Sequence, residues 1–160
     1  MKFSYKILLC TIMTMAVAFG ISGYLFINYV FENSMEREIG QALNESSILQ
    51  FAFETAALNI PSKYGVLQNG TIEQIGIKLE NSGGYGERLL RLSDEDRMPL
   101  YASGGFVAET DFLGQIEART RVYRVIRQEG QYYIQTGAVI NSLDRFLYLE
   151  TMKDVTQVYE

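Results

Sequence analysis

The side chains offering the most chemistry are arginines and one tyrosine: Arg91, Arg119, Arg121, Tyr123 and Arg127. Four of them fall in one run, Arg119 to Gln128 (RTRVYRVIRQ), rich in β-branched and aromatic residues. A second such run, Gln131 to Ile140 (QYYIQTGAVI), follows after Glu129-Gly130. Two strand-like runs joined by a two-residue turn predict a β-hairpin. Hairpin geometry sets Arg121 opposite Ala138, Tyr123 opposite Thr136 and Val125 opposite Ile134, all on one side. A large charged residue facing a small one leaves room. Arg121 and Tyr123, with Arg119 and Arg127 on the same face and Arg91 near it, are therefore candidates to line a cavity for a small acidic or polar ligand. The competing reading is a plain sheet face whose arginines pair with glutamate or stand in water. The other side, with Val122, Ile126, Tyr133 and Val139, is then expected to pack on a helix.

Other chemistries lack their residues. The chain has no histidine, which removes the commonest general base, the commonest metal ligand and the usual triad member. Its single cysteine, Cys10, lies in an apolar run, so no disulfide forms within the chain and a zinc site would need carboxylates alone. Gly83-Gly84-Tyr85-Gly86 follows a helical pattern rather than a strand, which reads as a helix stop and loop, not a phosphate cradle. Asp94-Glu95-Asp96 lacks the regular ligand spacing of a calcium loop and reads as a solvated turn. No catalytic residue, metal or cofactor is assigned. With 14 Lys and Arg against 19 Asp and Glu, the net charge of −5 argues against nucleic acid as a partner.

The elements that must position these residues begin with Ile7 to Val30, which carries no charged residue. About 20 apolar residues in a helix span the ~30 Å hydrocarbon core of a bilayer. Lys2 and Lys6 precede this run and Glu32, Glu36 and Arg37 follow it. The positive flank is expected in the cytoplasm, so residues 1–6 are cytoplasmic, 7–30 are transmembrane and 31–160 lie outside. Tyr24 and Tyr29 suit the outer interface. A cleaved signal peptide, cut near Ala16-Val17-Ala18 or Ser22-Gly23, is the alternative. The apolar run continues past both sites, which favours a retained anchor.

From Phe31 the helix is expected to continue to about residue 60, where Pro61 ends it. Met35, Ile39, Ala42, Ser46, Leu49, Phe53 and Ala56 recur at alternating steps of four and three, a heptad seam. A second apolar strip, Ile48, Phe51, Ala52 and Leu58, lies on another face. Either the seam packs on the chain's own sheet, or Met35, Ile39, Ala42, Leu49 and Phe53 meet the same helix of a second subunit in a homodimer. A capping box at Thr71 predicts a short helix over 71–82. Five strands are expected between 87 and 154: 87–93, 100–103, 119–128, 131–140 and 145–154. Together these predict an α+β domain in which a transmembrane helix continues into a long helix packed on a five-stranded antiparallel sheet, with the helices on one side.

That order, together with the closing run FLYLETMKDVTQVYE, resembles the extracytoplasmic PAS-like or Cache-like sensor region of membrane sensor histidine kinases of Gram-positive bacteria. The resemblance implies an input domain at the cell membrane that relays a stimulus through membrane helices to a kinase. It also implies a second membrane helix and a phosphoacceptor histidine, neither of which occurs up to Glu160. The expectation is therefore either the amino-terminal part of a longer receptor or a short gene product. The rival function is a membrane-tethered interaction module that docks another exterior protein and signals nothing.

Overall fold

The computed structural model describes residues 2–59, 67–81, 88–106, 110–116, 121–142 and 145–159. The first element, α1 (Lys2–Leu58), is one helix of 57 residues. Contacts divide the chain into two units, Met1–Arg37 and Glu38–Glu160.

In the first unit the helix exposes apolar side chains all round from Ile7 to Val30. Leu8, Phe19, Ile21 and Phe26 all stand exposed, and such a surface needs lipid or protein around it. By length and composition this helix could cross a membrane. The hydroxyls of Thr11 and Thr14 donate back to the carbonyls of Ile7 and Cys10, at 2.8 and 2.7 Å, so these two are satisfied within the helix.

The second unit is α+β. After the last part of α1 come α2 (Asn69–Asn81), β1 (Arg88–Ser93), β2 (Pro99–Ala102), a 3-10 helix (Thr110–Gln115), β3 (Val122–Gln128), β4 (Gln131–Ser142), β5 (Arg145–Asp154) and a final turn of helix, α3 (Thr156–Tyr159). The strands form one antiparallel sheet in the order β2-β1-β5-β4-β3. The β3–β4 turn is the one expected: Glu129 and Gly130 both have positive φ, 50° and 88°, as a twist-matched two-residue hairpin requires. The short helix starts earlier than the Thr71 capping box predicts. The amides of Thr71 and Ile72 both donate to the Gln68 carbonyl, which places Asn69 and Gly70 inside the helix.

One face of the sheet carries the main core. Leu49, Phe53 and Ala57 of α1 and Ile72 and Ile75 of α2 pack with Leu90, Leu92, Ile140, Leu147 and Leu149. Before that apolar section, α1 is tied to the sheet by charge. Glu38 accepts from Lys153 at 2.7 Å, and Glu45 meets Arg88 at 2.5 Å. Of the two readings of the heptad seam, packing on the chain's own sheet accounts for its burial. Ala42, Leu49 and Phe53 are 2, 5 and 0 % exposed in the chain's own fold. Ile39 is half-buried on the same helix, and Met35 lies in the first unit. A heptad stripe fits a flat sheet as well as a second helix, and here the sheet takes it.

The other face is covered too, against the expectation that helices lie on one side only. Phe112 and Ile116, at the 3-10 helix, lie over Gly137 of β4; a Cβ there would stand 2.9 Å from Phe112 Cε1. The sides of the hairpin are thereby exchanged relative to the sequence reading. Tyr123 does pair with Thr136 and Val125 with Ile134. That side, continuing to Ile140, is the one α1 packs on. Tyr133, Gln135, Gly137 and Val139 look the other way, toward the crossover between β2 and β3.

Candidate functional site

Four strands each place one polar side chain on the crossover face, and these join in a continuous network. Arg91 on β1 stands opposite Glu150 on β5. Its Nε and Nη2 donate to the two carboxylate oxygens at 2.6 and 2.8 Å, a fork-on-fork pair. Gln135 on β4 donates its Nε2 to Glu150 Oε1 at 2.8 Å, and Arg124 on β3 donates its Nε to Gln135 Oε1 at 2.7 Å. Register explains the last link, since Arg124 and Gln135 are direct cross-strand partners.

The setting is dry. Gln135 and Glu150 are 0 % exposed and Arg91 is 7 % exposed. Phenylalanines flank both guanidinium groups: the Phe106 ring centre lies 4.5 Å from Arg91 Cζ, and the Phe112 ring centre 4.8 Å from Arg124 Cζ. Both phenylalanines belong to the crossover. Gly137, opposite Glu150, leaves the space that Phe112 and Ile116 occupy. Removing charges from water costs several kcal/mol per ion unless each is well paired, and the two-toothed pair and amide link answer that cost here. The arrangement holds charge in a low-dielectric layer under two aromatic rings. Among the described residues no three His, Cys, Asp or Glu side chains come together to hold a metal ion.

The residues singled out from sequence are placed apart. Arg91 is in the network. Arg119 lies outside the described residues. Arg121 is exposed on the α1 side of the sheet, its Nη2 donating to Gln50 Oε1 at 3.4 Å. Tyr123 is 48 % exposed on that same side. Arg127 is exposed with its guanidinium over the Tyr132 ring. Arg121 and Tyr123 thus do not share a chamber with Arg91, because the sheet separates them. Gln135, Glu150 and Arg124 are the residues that sequence reasoning passed over. The available signal was a charged Glu150 in the middle of an otherwise strand-like run, LYLETM. Its partner stayed hidden because β1 joins β5 across the whole intervening chain.

Two tyrosines near the end of β5 are electrostatically tuned. Burial, and then the charges of Asp154 and Glu129, push the Tyr133 phenol above its usual range. Burial and Tyr132 do the same for Tyr159. Tyr159 stacks on Tyr132 with ring centres 3.7 Å apart, and Asp154 Oδ1 accepts from the Thr156 amide at 2.8 Å, capping α3.

No family model, no curated protein and no solved structure matches this chain.

Proposed function

We propose that residues 31–160 form the extracytoplasmic PAS-like or Cache-like input domain of a membrane-bound sensor histidine kinase, with a stimulus relayed through membrane helices to a kinase module. One observation carries the reading: the same uninterrupted helix, α1, contains both the apolar stretch Ile7 to Val30 and the core residues Leu49, Phe53 and Ala57. A change in how the domain packs its core acts directly on that helix. A ligand drives such a change only through its difference in affinity for two arrangements of the domain. The ligand proposed is small and polar or acidic, and it would have to displace Glu150 from Arg91, the one residue chosen from sequence that joins the buried network.

The experiment is to read the encoding genome past the codon for Glu160 and to assay the full product for phosphotransfer. A second apolar span followed by a histidine-bearing helix pair, with autophosphorylation, is the expected result. A stop codon at that point refutes the receptor and leaves a tethered module that docks another exterior protein. For the ligand, thermal-shift screening of the full chain in detergent with small carboxylates is expected to give a stabiliser whose effect is lost in the double change Arg91→Met with Glu150→Leu, which leaves no buried charge unpaired.

A further inference from the structure

The sheet order leaves β2 and β3 at its two edges. The edges differ. β2 is four residues long and opens on Pro99, which has no amide hydrogen to give, and its Tyr101 packs over Gly76 of α2. β3 has seven residues, Val122–Gln128, with no proline or glycine. Among the described residues it pairs with β4 alone. The two-residue turn makes Gln128 and Gln131 a hydrogen-bonded pair. Bonding alternates back from there, so the backbone groups of Tyr123, Val125 and Arg127 point away from β4. The partner strand agrees. Tyr132, opposite Arg127, turns its carbonyl and amide away from β3, to the Val155 amide at 2.8 Å and the Thr156 hydroxyl at 2.9 Å. On the α1 side of this edge Tyr123 and Val125 are 48 and 39 % exposed, with exposed Arg121 and Arg127 at either end. The hairpin from Arg121 to Ser142 carries three arginines against one acid, Glu129, in a chain of net charge −5.

From this edge we infer that β3 accepts an extended acidic segment of another protein as a sixth strand, with acids opposite Arg121 and Arg127 and apolar residues opposite Tyr123 and Val125. Main-chain hydrogen bonds give such a complex its strength, and alternate side chains give it selectivity. The added strand pairs the outward backbone groups and covers the two apolar side chains between the arginines. The occupant is acidic because the edge is basic within an acidic chain. A second copy is the poorer match, since joining two β3 edges brings Arg121, Arg124 and Arg127 of each into one seam. The pairing requires no kinase and no membrane helix, so it stands apart from the receptor reading.

The test uses the full chain in a neutral detergent with labelled, end-blocked peptides. The probe is glutamate-threonine-valine-threonine-valine-threonine-glutamate, and the reference has lysine in place of both glutamates. Fluorescence anisotropy is expected to show the acidic peptide binding about tenfold tighter, from two opposite-charge against two like-charge cross-strand pairs. In antiparallel addition the valine amides face β3 and the threonine amides face solvent. Methylating the valine amides is therefore expected to abolish binding, and methylating the threonine amides to spare it. The double change Arg121→Glu with Arg127→Glu is expected to reverse the preference, a gain of lysine-peptide binding that an unfolded chain would not show. Hydrogen exchange at the Tyr123 and Val125 amides is expected to slow when the acidic peptide binds. Binding indifferent to which amides are methylated reduces the edge to a charged patch and overturns the added strand. No binding by either peptide, with those amides exchanging freely, leaves the arginines as guards against aggregation and overturns the partner. Protection without peptide that rises with protein concentration assigns the edge to a second copy and overturns the partner likewise.

Discussion

Replacing Glu150 by glutamine tests whether the buried network holds the fold together. The carboxylate is 0 % exposed and takes both teeth of Arg91, whose side chain is 9 % exposed. Glu150→Gln keeps the shape and one acceptor oxygen but leaves the Arg91 guanidinium in a dry layer without its counter-charge. Breaking a buried pair from one side costs about 3–5 kcal/mol. Against a total stability of roughly 5–15 kcal/mol, that is a large fraction. With a urea slope of about 2 kcal/mol/M, the midpoint falls by about 2 M. Tyrosine fluorescence follows the transition, since the chain has 11 tyrosines and no tryptophan. The double change Arg91→Met with Glu150→Leu removes both charges and fills the space with apolar groups. It is expected to return the midpoint to the wild-type value or above, because such replacements are commonly neutral or stabilising by about 1–4 kcal/mol. The reasoning is refuted if Glu150→Gln moves the midpoint by less than about 0.3 M, or if the double variant is as unstable as the single. A double variant that is stable yet has lost the thermal shift with small carboxylates would separate the network's binding role from its packing role.

Three further outcomes follow from particular contacts. Phe53→Ala, at a fully buried position, is expected to cost about 3–5 kcal/mol, whereas Phe51→Ala, two residues away and mostly exposed, changes stability by less than about 0.5 kcal/mol; urea melts of the pair check the assignment of helix faces. Gly137→Ala forces a methyl group against Phe112 and Ile116 and is expected to cost about 1–3 kcal/mol, with the loss reduced when Phe112 is shortened to leucine. The Tyr133 phenol has a folded pKa raised above its ordinary value of 10.0. Above that value the unfolded chain releases the proton while the folded chain retains it, so stability is constant below about pH 10 and falls as pH rises beyond it. Thermal melts between pH 8 and 11 are expected to show that fall, and Tyr133→Phe to lessen it, the remainder coming from Tyr159, whose phenol is raised too.

Much of the domain was legible because local rules and tertiary structure agree. Loss of charge from Ile7 to Val30 marked the apolar helix, and absence of proline before Pro61 carried α1 through Leu58. Alternation and turn chemistry gave the β3–β4 hairpin, its register and the run of β5 from Arg145 to Asp154. The site was less legible. Arg121 and Tyr123 were chosen by arguing that one side of the hairpin must face a helix and the other a cavity. That argument needs one polar side and one apolar side. On β4, Ile134, Gln135, Thr136, Gly137 and Ala138 are all buried, so neither side of the strand announces itself.

The sequence by itself determined the elements: an apolar helix running into a patterned one, a short second helix, and five strands with their turns. These depend on contacts a few residues apart and on the periods of helix and strand. Only the tertiary structure decided which stripe of α1 is spent on the sheet, since two stripes of equal spacing compete for one surface. Only it brought Arg91 to Glu150, because β1 pairs with β5 and no local rule reaches across the chain between them.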